Sequence, residues 1–136
     1  AIEVPVDLAV EVQKKRKEIG LKELPTNYAI FDIGTETAKK YGEFIRKAKS
    51  IVISGPMGVF ENKEFVTGTK RVLETIAASK AFSLVGGGHT VAAVEELGLA
   101  NKMSYVSTAG GALIEFLMGK QLPGVVALEK ATTKKV

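Results

Sequence analysis

The stretch Ile51-Val52-Ile53-Ser54-Gly55-Pro56-Met57-Gly58-Val59-Phe60-Glu61 constrains this chain more than any other. Three consecutive β-branched residues run straight into Ser-Gly-Pro. A run without polar alternation fits a strand covered on both faces, and the turn residues break it sharply. Gly55 and Gly58 permit close backbone approach, and Pro56 stiffens the chain between them. Open α/β folds bind ligands at the loops that follow the carboxyl ends of parallel strands, so this loop is the first place to look for chemistry.

The rest of the chain reads as strands alternating with helices. Ile2, Val4, Val6 and Leu8 alternate with Glu3, Pro5 and Asp7, which predicts a half-buried strand that Pro5 confines to an edge. Val10 to Leu24 is charged, weakly periodic and closed by Pro25, so an irregular connection with some helical turns is expected. Tyr28 to Gly34 predicts another apolar strand. Thr35 is placed to cap a helix with Ala38, Tyr41, Ile45 and Ala48 on one face, and Glu36 with Lys40 forms a favourable i,i+4 pair. After the central strand, Phe65, Thr69, Val72, Leu73 and Ile76 repeat at helical spacing. Ala81 to Val85 reads as a strand ending in Gly86-Gly87-Gly88-His89-Thr90, followed by a short helix with Val91, Val94 and Leu97 that Gly98 terminates. Met103 to Ser107, the turn Thr108-Ala109-Gly110-Gly111 and a buried stripe of Ala112, Leu113, Phe116 and Leu117 repeat the unit. This succession predicts an α/β fold: an open, mostly parallel sheet with helices on both faces, a Rossmann-like three-layer arrangement in one domain.

Composition narrows the function classes. At 136 residues, 46% hydrophobic and 25% charged, the chain has the makings of one globular domain with a real core. It has no cysteine, which removes disulfides and thiolate metal sites and is compatible with the cytosol. No apolar run approaches the roughly 20 residues that cross a bilayer, and no signal peptide is visible. The net charge of +4 could serve an anionic ligand. Its one dense cluster, Lys14-Lys15-Arg16-Lys17, has no interleaved aromatics, so a solvated face is expected rather than nucleic-acid contact. Lys134-Lys135 reads as a frayed tail. Ala1 already lies inside a strand-like alternation, as expected of a fragment or a cut product.

Three loops carry the chemical signal: Gly55 to Glu61, Gly86 to Thr90, and Thr108 to Gly111. Each follows a strand and precedes a helix, which lines all three along one rim. A glycine-rich turn opening a helix exposes N–H groups at the positive end of the helix dipole, where phosphate binds. Three glycines equally make a plain tight turn, so Gly86-Gly87-Gly88 alone does not decide, and the repeat of the device at Thr108 strengthens the phosphate reading. Glu61 could accept both ribose hydroxyls, or merely stand near a helix start. His89, the sole histidine, sits where a helix begins and can donate to phosphate; with no second histidine or cysteine beside it, a transition-metal site is not expected. Met57, Phe60, Tyr105 and Met118 read as packing residues, although Met57 and Phe60 could also line a base pocket. Neither G-x-x-x-x-G-K-[ST] nor G-x-G-x-x-G occurs, which counts against a P-loop NTPase and an NAD-dependent dehydrogenase.

Together, Ile53 to Glu61, Val85-Gly86-Gly87-Gly88-His89-Thr90 and Val106-Ser107-Thr108-Ala109-Gly110-Gly111-Ala112 resemble, in order and spacing, the signature loops of phosphoglycerate kinase. Val4-Pro5-Val6-Asp7, Phe31-Asp32-Ile33-Gly34 and Leu122-Pro123-Gly124-Val125 match further family segments, so the resemblance runs along nearly the whole of residues 1–136. It implies the latter part of the C-terminal, nucleotide-binding domain of a two-domain cytoplasmic, glycolytic enzyme, hence an incomplete domain. The family's reaction moves phosphate reversibly between 1,3-bisphosphoglycerate and ADP, giving 3-phosphoglycerate and ATP with Mg2+. The 3-phosphoglycerate-binding domain and the lysines of the first half of the nucleotide domain have no counterpart here.

Carried over by position, the resemblance implies that Glu61 holds the ribose, and that Gly55, Met57 and Phe60 border the nucleoside. It implies that Gly87, Gly88 and Thr90, with His89 among them, cradle the phosphates, and that Gly110 and Gly111 open a helix aimed at the transferring phosphoryl group. No side chain is assigned to a metal. His89 stands where most members carry an aspartate associated with the magnesium-bound nucleotide, Ala109 replaces a usual glycine, and Ser54 replaces a common asparagine. Alone, the chain is expected not to turn over, and an incomplete sheet is expected to expose apolar surface, with the remainder of the kinase as partner. Two other readings are a non-catalytic nucleotide-binding or association module and, disfavoured by the missing fingerprint, a dinucleotide-binding oxidoreductase.

Overall fold

The computed structural model describes residues 2–133, so the expected tail at Lys134-Lys135 lies outside the described residues. The fold is α/β, with strands β1 (Asp7–Val12), β2 (Lys15–Gly20), β3 (Ile30–Ile33), β4 (Ser50–Ser54), β5 (Phe82–Gly86) and β6 (Tyr105–Val106). The helices are α1 (Thr35–Lys47), α2 (Thr67–Ala78), α3 (Gly88–Glu96), α4 (Gly111–Leu117) and α5 (Pro123–Thr133). Strands β4, β5 and β6 form the expected open parallel sheet, in that order. A second sheet, ordered β2-β1-β3, is antiparallel. Among the described residues, no helix is long and apolar enough to cross a membrane.

The antiparallel sheet corrects the expectation for Val10 to Leu24. That segment is mostly a hairpin, with β1 and β2 paired from Asp7–Gly20 to Val12–Lys15. Its two-residue turn, Gln13-Lys14, has φ of 51° and 63°, the left-handed pair that tight hairpins use and that Asn-Gly usually supplies. Lys15 and Lys17 on the face of Ile19, with Arg16 and Glu18 on the other, leave a single apolar residue before Gly20 and so hide the period of two. The basic cluster is corrected too: Arg16 turns inward, donating to Asp32 Oδ2 (2.7 Å), to the Ile33 carbonyl (2.9 Å) and to Glu18 Oε1 (2.8 Å). Residues 2–6 are not a strand. They run along α1, tied by Lys40 to Glu3 (2.8 Å) and to the Val4 carbonyl (3.2 Å). That contact also takes Lys40 away from the expected pairing with Glu36.

Both helices that pack beside this sheet are capped from it, and Thr35 is not the cap. Asp7 of β1 accepts from the N–H groups of Glu36 (3.0 Å) and Thr37 (2.7 Å) at the start of α1. Asp32 of β3 accepts from the Gly68 N–H (2.7 Å) at the start of α2. A carboxylate at a helix N-terminus satisfies orphan donors and meets the positive end of the dipole. Thr35 instead donates to Glu18 (2.8 Å).

Burial raises the Asp7 carboxyl, but hydrogen bonds from Thr37 and Glu36, with the charge of Arg16, bring it below its ordinary 3.8. Burial likewise raises Glu18, and hydrogen bonds from Arg16 and Thr35 bring it below 4.5. The unfolded chain therefore takes up protons first on acidification. The stabilisation is complete above the ordinary carboxylate values and is lost as pH falls through the lowered folded ones. We expect the thermal midpoint to drop steeply between about pH 5 and pH 3, and less steeply in Asp7→Asn. A calorimetric pH series that gives parallel curves for the two proteins would refute the cap's role.

Between the sheets, Ile33, Ile53, Val72, Leu73, Ile76, Val85 and Val94 form the core. Helices α2 and α3 lie on the Ile53 and Val85 side of the parallel sheet. The other side is thinly covered. Register places Val52, Leu84 and Tyr105 in one row there, with Phe82 on the same face, and Val52, Phe82 and Tyr105 are 51%, 55% and 58% exposed. Helix α4 reaches this face where Leu113 meets Gly86. The expected buried stripe on α4 is corrected: Leu113 is half-buried, whereas Ala112, Phe116 and Leu117 are exposed, because no described element packs over them. Helix α5 was not among the expected elements; Pro123 opens it at the first position, where a missing N–H costs nothing.

Candidate functional site

The three signature loops leave one edge of the parallel sheet. Strand β4 ends at Ser54, β5 at Gly86 and β6 at Val106, and because the strands are parallel their following loops emerge together. Gly55 (φ 112°) and Gly87 (φ 88°) turn the chain away from β4 and β5 through conformations that side chains rarely adopt. A Cβ built on Gly87 would lie 3.3 Å from Ser54 Oγ, and one on Gly110 would lie 3.5 Å from Gly87 Cα. The second loop thus touches both neighbours. Thr90 fastens it further, its Oγ1 accepting from the Gly55 N–H at 2.6 Å.

The expected site residues fall into two groups. Glu61 and His89 meet at the rim, with 3.4 Å between Oε1 and Nδ1, both side chains exposed. Gly87, Gly88, Gly110 and Gly111 lie beside them, and the space that a Cβ would fill at Gly88 or Gly111 is open. The first-turn N–H groups of α3 point into that space, as at any helix start. Thr90 is 1% exposed and its Oγ1 accepts from the Gly55 N–H, so its side chain fastens the loop beneath the rim. Phe60 packs in the core and shapes the loop from beneath. Met57 lines an apolar hollow of about 340 Å³ with Tyr41, Phe44, Val52 and Ile76, alongside β4.

Residues that were not among the expected site residues hold the central loop. Strand β3 carries one extra residue, Phe31, between the Ala9–Asp32 and Val10–Ile30 pairs. A bulge frees a backbone group from the ladder, and here the Phe31 carbonyl accepts from the Val59 N–H at 2.8 Å. Thr69 Oγ1 accepts from the Met57 N–H at 3.1 Å. The Phe31 ring meets that of Phe65 edge to face at 5.2 Å. A charged residue inside the apolar run Ala29 to Ile33 was the available signal: Asp32 is 3% exposed and holds Arg16, Gly68 and its own neighbour Ile33.

Comparison with known proteins matches this arrangement to one family. The family model described as phosphoglycerate kinase covers residues 1–120. The chain is 50% identical over 135 residues to a phosphoglycerate kinase of Methanococcus maripaludis, covering 98% of this chain and 32% of that protein. Against the Methanothermus fervidus phosphoglycerate kinase the identity is 47% over 127 residues, covering 93% and 31%. Among solved structures, the crystal structure of phosphoglycerate kinase from Pyrococcus horikoshii superposes with a TM-score of 0.84 at 45% identity, over 96% of this chain and 33% of that one. The Coxiella burnetii enzyme gives the same TM-score at 41% identity, over 95% and 34%. The chain spans about a third of the length of the relatives it matches. With its signature loops, its parallel sheet and its sequence all in agreement, the chain belongs to the phosphoglycerate kinase family.

Proposed function

We propose that this chain is the nucleotide-binding part of an enzyme that transfers phosphate reversibly between 1,3-bisphosphoglycerate and ADP, giving 3-phosphoglycerate and ATP. The convergence of three strand-to-helix loops on one rim, with the start of α3 open between Glu61 and Gly110, carries this reading. Glu61 accepts the ribose hydroxyls, while Gly55 and Met57 border the nucleoside over the support of Phe60. The N–H groups of Gly87, Gly88, His89 and Thr90 cradle the phosphates. Gly110 and Gly111 present backbone donors where charge develops in transfer, a reaction in which positioning and electrostatics do most of the work.

Magnesium is a hard cation that takes oxygen donors and keeps several waters. Among the described residues no group of three or more His, Cys, Asp or Glu side chains converges. On this reading a magnesium ion would be carried on the nucleotide's phosphates, where it would neutralise charge. On the same reading the setting is cytoplasmic, and the remainder of the kinase covers the bare face of β4, β5 and β6.

Calorimetric titration of the chain with ADP, with and without Mg2+, tests the assignment beside Glu61→Ala. Saturable binding weakened about tenfold by the substitution is expected, the scale of losing hydrogen bonds to a charged group. Equal affinities, or no binding by a folded chain, would overturn it.

A further inference from the structure

Helices α1 and α2 pack side by side, and a hollow of about 370 Å³ opens between them on the side away from the core. Its walls carry Lys39 and Arg46 from α1 and Arg71, Glu74 and Thr75 from α2. None of these residues belongs to the three loops. Two of the chain's three arginines thus line one hollow, while the third, Arg16, is fully engaged elsewhere.

The two guanidiniums in the hollow have no such engagement. Among the described residues, no carboxylate lies within 4.0 Å of Arg46 or Arg71, and neither donates a side-chain hydrogen bond. The nearby acids are weakly committed to other cations: Glu74 lies 3.9 Å from Lys70, and Glu36 lies 4.0 Å from Lys39. Arg46 is also drawn down into the hollow. A Cβ on the buried Gly42 would lie 3.2 Å from Arg46 Nη1 and 3.7 Å from Thr75 Oγ1, so the missing side chain leaves room for the guanidinium to lie against the helix and near α2. Thr75 donates its hydroxyl proton to the Arg71 carbonyl at 2.7 Å, which leaves the guanidiniums and Lys39 as the donors facing the hollow.

We propose that this hollow is a binding site for a small polyanion of the phosphate class, separate from the nucleotide rim. Arg46 and Arg71, with Lys39 only loosely held by Glu36, face Glu74 as the one carboxylate of the lining, and an anion between the cations relieves their repulsion. Arginine forks match phosphate oxygens with paired donors, and the volume falls in the range of small-molecule pockets. The site spans both helices, so an occupant clamps α1 to α2.

Inorganic pyrophosphate is the probe, titrated at constant ionic strength while backbone amide shifts are followed by NMR. Saturable shifts at Gly42, Arg46 and Thr75 are expected, weakened about tenfold in Arg46→Gln and in Arg71→Gln, since each removes one charged fork. Both side chains reach solvent, and unchanged thermal midpoints without pyrophosphate establish that the variants fold. Glu61→Ala should leave these shifts intact, so the outcome is independent of the nucleotide reading. Shifts confined to Gly87 through Gly111, affinities unchanged by both arginine variants, or no saturation would overturn the proposal.

Discussion

Asp32→Ala is expected to cost about 3–5 kcal/mol, the range seen when one partner of a buried ion pair is removed. The carboxylate does three jobs at once. It pairs with Arg16 at 2.7 Å, caps α2 through the Gly68 N–H at 2.7 Å and accepts from the Ile33 N–H at 2.9 Å, all with its side chain shut off from solvent. Truncation takes the buried partner from a mostly covered guanidinium, which keeps only Glu18 and the Ile33 carbonyl, and leaves two amide donors without partners. A loss of that size is a large share of the roughly 5–15 kcal/mol by which a domain of this kind is stable. Urea unfolding measures it, and a loss under about 1 kcal/mol would show that the network is dispensable. The double variant Arg16→Met/Asp32→Leu should recover part of the loss, because it removes both charges together.

Gly58→Ala should destabilise by about 1–3 kcal/mol, the cost of forcing an extra methyl into a packed site, and should weaken ADP binding with it. A Cβ at Gly58 would overlap the Phe31 carbonyl oxygen and come within 2.6 Å of Asp32 Oδ1 and 2.7 Å of Asp32 Cα. Backbone cannot swing aside as a flexible side chain does. The loop must lift, breaking the 2.8 Å bond from the Val59 N–H to Phe31 and displacing Glu61 from the rim. Gly88→Ala is the control, since nothing lies within 4 Å of its Cβ position. It should leave stability unchanged within about 1 kcal/mol yet weaken ADP, by placing a methyl in the phosphate cradle. Denaturation and calorimetry on the two variants separate these effects, and equal stability losses would contradict the distinction.

The parts of the fold that were legible in the sequence are those set by local patterns. Ile51-Val52-Ile53 announced a strand because three β-branched residues without alternation suit little else, but its burial on both faces is corrected: Ile53 is buried, whereas Val52 is 51% exposed on the thinly covered face. The glycines at 55, 87 and 98 marked turns because positive φ is costly for any other residue, and all three adopt it. The helical spacing of Val72, Leu73 and Ile76 identified α2 because all three face the core. The loop motifs pointed to the rim for the same reason: each is contiguous and each closes its own strand.

Only the tertiary structure decided what depends on partners distant in sequence. The β1–β2 hairpin was hidden because charged side chains stand on both faces of β2 and its turn is built from Gln13-Lys14. Arg16 looked solvated among lysines, and its role rests on Asp32, a partner 16 residues away. The cap of α1 was assigned to the adjacent Thr35, whereas Asp7 reaches it from another strand. The anion hollow has no contiguous motif, since its cations come from two helices separated by a strand and a loop. Periodicity reports which face of an element is apolar, but what that face, or a charge upon it, will meet is settled only when the elements pack.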